Sequence, residues 1–107
     1  MNSLINNLTI LFILSFSLFA NEQLDLTIKE KEFLKNNSPL RLHNELNWPP
    51  YNYYQDNQPK GFSIDYLNLL SKKIDTKIKY VTGPSWNEFM QMLQKDEIDA
   101  IINISKN

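Results

Sequence analysis

Trp48-Pro49-Pro50-Tyr51, followed downstream by Gly61-Phe62-Ser63-Ile64-Asp65, is the stretch on which the fold turns. It stands between a short apolar run, Leu40 to Leu42, and an amphipathic segment over 64–74. A strand therefore leads into an aromatic, proline-stiffened loop, and the loop leads into a helix. Adjacent prolines fix φ and remove two backbone donors. They also bias the residues before them, Trp48 and Pro49, toward extended geometry. An indole on a stiff loop at the carboxyl end of a strand is where open α/β sheets place ligand contacts. The competing reading folds Trp48 and Tyr51 back onto the core, and spacing alone does not choose between the two.

Beyond the loop, Asn52 to Gln55, a polar turn and a return through Lys60 predict a small hairpin. Ser63 is placed to cap the next helix, and Asp65 lies in its first turn, where the helix dipole favours an anion. Tyr66, Leu67, Leu70 and Ile74 share one face of that helix, as packing on a sheet requires. Residues 77–81 (KIKYV) predict a second strand. Pro84 and the capping box Ser85-Trp86-Asn87-Glu88 open a second helix running to about residue 95. Its apolar stripe is Trp86, Phe89, Met90 and Leu93, so Trp86 either packs in the core or walls a cleft. Residues 98–104 are nearly all apolar and predict a third strand, suited to the buried centre of a parallel sheet.

Upstream, Thr27-Ile28-Lys29-Glu30 is another capping box, predicting a surface helix over 28–35 that Asn36-Asn37-Ser38-Pro39 ends. Phe33 and Leu34 are its strong apolar anchors. Residues 40–44 alternate as a half-buried strand does. His43, the single histidine, has no second His or Cys to pair with and reads as structural rather than as a ligand or base. The order β-α-β-α-β with short connections predicts an α/β fold with a parallel sheet, right-handed crossovers and helices on its faces. Residues just past the strand ends, 45–51, 83–86 and 103–105, would face a ligand.

Composition narrows the function. Residues 1–20 carry no side-chain charge, and an apolar run from Leu8 to Phe19 ends at Ala20. This reads as a secretory signal peptide cleaved after Ala20, shorter than the roughly twenty apolar residues of a membrane span. The leader lacks Lys and Arg and has Leu18 where a small residue is usual; an uncleaved anchor is the alternative. Cysteine is absent, which excludes disulfides and thiolate metal sites. A net charge of −1 gives no footprint for nucleic acid or an anionic membrane. With two glycines, no nucleophile elbow, no phosphate loop and no metal spacing, the sequence offers no catalytic residue, metal or cofactor. Asp65, Asp96, Glu97 and Asp99 read as helix-end and turn residues. A sheet ending straight after its third strand predicts a fragment of a larger domain.

Taken together, these motifs resemble the start of bacterial solute-binding proteins of family 3, the type II periplasmic-binding-protein fold. The resemblance extends to versions that form periplasmic sensor domains of membrane-bound kinases and cyclases. It rests on Leu26-Thr27-Ile28-Lys29-Glu30 with Phe33-Leu34, on Trp48 to Tyr51, on Gly61-Phe62-Ser63-Ile64-Asp65-Tyr66-Leu67, on Ser85-Trp86, and on Ile98-Asp99-Ala100. It implies a two-lobed receptor that closes on a small ligand by hinge motion. On this resemblance, residues 1–20 are a signal peptide, 21–39 a leading helix and linker, and 40–107 the first part of lobe 1. By position, Trp48 would stack on the ligand and Trp86 form the opposite wall. Glu45 would reach a cationic or polar tip, and Asn103 and Ser105 would bind its amino or carboxylate group. Pro49, Pro50, Tyr51, Gly61 and Asp65 would support the site.

The implied function is periplasmic binding of an amino acid or similar solute by a sensor or receptor domain. A membrane permease or a fused signalling domain would be its partner. Alternatives are a transport receptor, the non-catalytic front of a peptidoglycan-cleaving enzyme, and a nonfunctional gene fragment. Two departures from the family are visible. Asp75 and Asp96 stand at helix ends where the family has Gly, and the family's Thr-x-Glu-Arg segment should begin at about Lys106. Without that Arg and a second lobe, tight ligand binding by this chain alone is not expected.

Overall fold

Two capped helices and a polar turn carry out locally what the sequence dictates, and a short parallel sheet ties them together. A computed structural model describes residues 24–105. The signal-peptide reading of residues 1–20 and the segment expected from Lys106 lie outside the described residues.

Helix α1 (Ile28–Asn36) opens at Thr27, whose Oγ1 accepts from the Glu30 amide at 3.2 Å while Glu30 Oε2 accepts from the Thr27 amide at 2.7 Å. Both exposed amides are thereby satisfied by side chains. The helix buries no residue, and the expected anchor Phe33 is exposed.

Strand β1 (Leu40–Asn44) pairs in parallel with β5 (Ile78–Thr82), Leu40 opposite Ile78 and Asn44 opposite Thr82. Between them come β2 (Asn47–Trp48), β3 (Asn52–Gln55), β4 (Gln58–Lys60) and helix α2 (Phe62–Lys73). After β5, helix α3 (Trp86–Gln94) opens with the expected capping box. Ser85 Oγ accepts from the Glu88 amide at 3.3 Å, and Glu88 Oε2 accepts from the Ser85 amide at 3.1 Å.

The chain then returns to the other side of β1. Asp99 N–H donates to the Arg41 carbonyl at 2.7 Å, and His43 N–H to the Ala100 carbonyl at 3.2 Å. The expected third strand is reduced to a single parallel bridge, Leu42 to Ala100. The reason lies in the next rung, where the Ile102 amide donates to the His43 ring and not to a backbone carbonyl. The centre of the sheet is therefore β1, not residues 98–104. That explains why Leu42, His43 and Asn44 are all buried where a half-buried strand would alternate. The apolar core is Leu42, Ile64, Phe89 and Ile98, and each such side chain contributes roughly 1.5–3 kcal/mol on burial.

The hairpin excursion is a three-stranded antiparallel sheet, because β2 joins the two expected strands, with Trp48 opposite Asn52 and Tyr53 opposite Lys60. Its turn residues, Asp56 and Asn57, have φ of 55° and 58°. That is the mirror-turn geometry whose twist suits a two-residue hairpin.

Helix α2 starts without a side-chain cap. Its first amides, Phe62 and Ser63, donate to the carbonyls of Pro50 and Tyr51, each at 2.9 Å. The proline loop thus caps the helix through its backbone, and Ser63, expected in that role, is free to accept elsewhere. Gly61 makes the close approach possible: its φ is +117°, and a Cβ there would overlap the Tyr51 carbonyl. Asp75 and Asp96 take φ of 50° and 56° just past α2 and α3, the left-handed geometry expected where glycine is usual.

Candidate functional site

Each parallel strand ends on the same side of the sheet, so β1, β5 and the segment after Ala100 deliver their following residues to one edge. There a cleft of about 450 Å³ is lined by Glu45, Asn47, Trp48, Trp86, Asn103, Ile104 and Ser105. The five ligand-facing residues expected from the sequence, Glu45, Trp48, Trp86, Asn103 and Ser105, come together here from three separate connections. A larger hollow of about 540 Å³ lies at the amino ends of the strands, between α1 and the end of α2, lined by leucines and lysines. It has no comparable convergence of strand ends.

Trp48 is half-buried and meets the Tyr51 ring edge-on, with centroids 5.6 Å apart. Trp86 opens α3 and remains 41 % exposed, so it walls the cleft while Phe89, one turn on, fills the core at 0 % exposure. Of the expected support residues, Pro50 and Tyr51 act through their carbonyls and Gly61 through its missing side chain. Pro49 is exposed in the turn. Asp65 is exposed in the first turn of α2, its amide on the Gly61 carbonyl.

Beneath the cleft lies a chain of neutral amides that no local sequence pattern announces. Asn44 Nδ2 donates to the Tyr53 carbonyl and to Thr82 Oγ1, both at 3.1 Å. Asn52 Nδ2 donates to Asn44 Oδ1 at 3.3 Å, and Asn103 Nδ2 donates to Asn52 Oδ1 at 2.7 Å and to Ser63 Oγ at 2.8 Å. Asn44 and Asn52 are 0 % exposed. Burial without partners costs roughly 1–3 kcal/mol per group, so a satisfied network fixes its members in place. The consequence for chemistry is direct. Both amide hydrogens of Asn103 point inward to partners, so its remaining atom, Oδ1, is an acceptor. Toward a ligand it offers the acceptor that an ammonium needs, not a donor for a carboxylate.

His43 is also fully buried, its ring edge-on to Phe89 at 5.1 Å and to Trp86 at 6.1 Å. Nδ1 accepts from the Ile102 amide at 2.8 Å. Burial lowers its pKa from 6.5 to about 4, so the ring is neutral at pH 7. The expectation that it is structural agrees with this position.

At the opposite end of β1, Asp99 lies in the bend that follows α3, and its carboxylate also reaches β1. Its Oδ2 accepts from the Arg41 amide at 2.7 Å, and its Oδ1 from the Arg41 guanidinium at 3.0 Å. This bonding holds the Asp99 carboxyl below its usual value of 3.8. Among the described residues no group of three or more His, Cys, Asp or Glu is placed to hold a metal. No described helix is long and apolar enough to cross a membrane.

A family model of the bacterial extracellular solute-binding proteins, family 3, matches residues 40–107. The chain belongs to this family. Comparison with curated proteins gives no match. Among solved structures, the family 3 chain is similar to an ancestral cationic amino acid solute-binding protein, AncCDT-1, with 25 % identity and a TM-score of 0.56. That alignment covers 69 % of this chain and 32 % of the ancestral one, which is also described as a precursor of cyclohexadienyl dehydratase.

It is also similar to domain 1 of an arginine-binding protein from T. maritima (a Phe57Trp mutant in its arginine-bound form), with 21 % identity and a TM-score of 0.59. There the coverage is 71 % of this chain and 61 % of that domain. A third likeness is to the L-cystine solute receptor of Neisseria gonorrhoeae in its open form, with 18 % identity and a TM-score of 0.58. It covers 74 % of this chain and 33 % of that receptor. The chain thus spans about a third of the length of AncCDT-1 and of the cystine receptor. It has the fold of the first part of lobe 1 of a type II periplasmic binding protein, and its family is one of solute binding.

Proposed function

We propose that this chain supplies one wall of a periplasmic amino-acid site, in which Glu45, Trp48, Trp86, Asn103 and Ser105 contact the ligand. The observation that carries the reading is their convergence on one cleft at the carboxyl edge of the sheet. The chemistry favours a cationic or amino-bearing solute. Glu45 is an anion, Asn103 presents an acceptor, and two indoles suit a cation or an alkyl stem by cation–π contact and packing. The likeness to AncCDT-1, a cationic amino acid solute-binding protein, points the same way. Export by the leader suits this role. The capped helix α1 ahead of β1 favours a sensor domain over a transport receptor.

One wall alone binds weakly, because closure of a second lobe supplies much of the desolvation in such a site. The two tryptophans of the chain both line the cleft, so their indole N–H signals report on it without labels elsewhere. Titration with L-arginine into the millimolar range should move both indole signals, and L-glutamate should move neither. A larger response to glutamate, or arginine shifts confined to other residues, would overturn the reading.

A further inference from the structure

His43 has one nitrogen too many for a purely structural residue. Because Nδ1 accepts from the Ile102 amide, its lone pair is committed and the neutral ring must carry its proton on Nε2. That N–H is buried and has no hydrogen-bond partner. A buried donor left alone costs roughly 1–3 kcal/mol. The group it faces is the Glu45 carboxylate, with Nε2 3.6 Å from Oε1 and the Glu45 side chain 30 % exposed at the cleft. A shift of roughly half an ångström would bring that pair to hydrogen-bond length. The ring is held against swinging to another partner by its T-shaped contacts with Phe89 and Trp86 and by the Ile102 bond to Nδ1.

We infer that His43 is a positioning residue, whose Nε2–H holds one oxygen of Glu45 and leaves the other for a cationic ligand. The ring then links the acidic tip of the cleft to Ile102, the residue before Asn103. A ligand that draws Glu45 onto Nε2 engages both ends of this link. The inference rests on the reading of the cleft as a solute site.

The test uses the fact that the chain has one histidine. Two-bond proton–nitrogen correlation spectra of the full chain at pH 7 read its tautomer directly. One species with Nε2 protonated and Nδ1 bare is expected. A proton on Nδ1, or an average of two tautomers, overturns the proposal. In Glu45→Ala, the Nε2 proton should shift and exchange with water at least tenfold faster, while Nδ1 stays where it was. Ring signals unchanged by Glu45→Ala would mark His43 as a space-filler and overturn the proposal. L-Arginine is then added to wild type until the indole signals stop moving. The Nε2 proton should move with them; indoles that move while it stays fixed overturn the coupling. If arginine moves no indole, the ligand reading fails, and the tautomer and the response to Glu45→Ala still decide the role of His43.

Discussion

The two ends of β1 are fastened by opposite chemistry. At its start, Arg41 and Asp99 meet as charges in partly exposed positions, with side-chain exposures of 38 % and 29 %. At its finish, His43 and Asn44 are fully buried and neutral, and they bond to amides, a hydroxyl and backbone groups. Water accounts for the difference. A charge near the surface keeps its hydration and gains modestly from a partner. A charge buried at the cleft floor would carry a large desolvation cost, whereas neutral groups need only complete hydrogen bonding. The finish is thus rigid and uncharged, which leaves Glu45 as the charge of the cleft lining.

This contrast can be broken first at Asn44. Asn44→Ala strands the Tyr53 carbonyl, Thr82 Oγ1 and Asn52 Nδ2 at once, and roughly 3–5 kcal/mol of stability should be lost. In a small domain this is most of what is available, so circular dichroism with urea should show a largely unfolded chain at 25 °C. Retention of the wild-type midpoint would mean the network is not a fastening.

The second test is pH. The folded pKa of His43 lies below its unfolded value, so between pH 6.5 and about 4 the unfolded state binds a proton that the folded state refuses. Stability should therefore fall as pH drops through that window, by roughly 3 kcal/mol in total. Urea midpoints at pH 7, 5.5 and 4 measure it. The other end of β1 answers in a different range. Asp99 is depressed, so its contribution is present above its ordinary value of 3.8 and is lost only as pH falls through its lower folded value.

A third test compares the two glycines, which both have φ near +120°. Gly61→Ala adds an overlap with the Tyr51 carbonyl, whereas a Cβ on Gly83 meets nothing within 4 Å. Each should cost roughly 1–3 kcal/mol of backbone strain, with Gly61→Ala the worse and Trp48 displaced with its loop. Equal thermal shifts would show that the loop yields freely. The smallest effect belongs to the charged end. Asp99→Asn should lower the melting temperature less than either of the first two changes, and added salt should shrink the difference.

Local order was legible where partners lie close in sequence. Both capping boxes pair residues three apart, and the helices follow from them. The cleft was legible because strand order delivers residues 45–51, 83–86 and 103–105 to one edge; the choice of residues 45, 48, 86, 103 and 105 within them rested on the family resemblance. What escaped the sequence depends on long separations. Ser63 looks like a cap from its neighbours, yet it accepts from Asn103. His43 looks like one rung of a strand, yet its ring replaces the backbone partner of Ile102. Asn44 and Asn52 read as ordinary strand residues, yet their side chains bond to each other and to Thr82, Tyr53 and Asn103. Nothing within ten residues of Asp99 announces Arg41. In each case the partner is set by which strands become neighbours, and a linear pattern does not contain that information.

Helix α1 carries a consequence of its own. At nine residues it is shorter than the roughly 12–15 at which an isolated helix is marginal in water, and it buries none of them. Its capping box is therefore most of what keeps it wound. Its amides should trade hydrogen for deuterium far sooner than those of β1, as a separate opening unit. A partner that settled on Ile28 and Phe33 would be registered first as a slowing of that exchange.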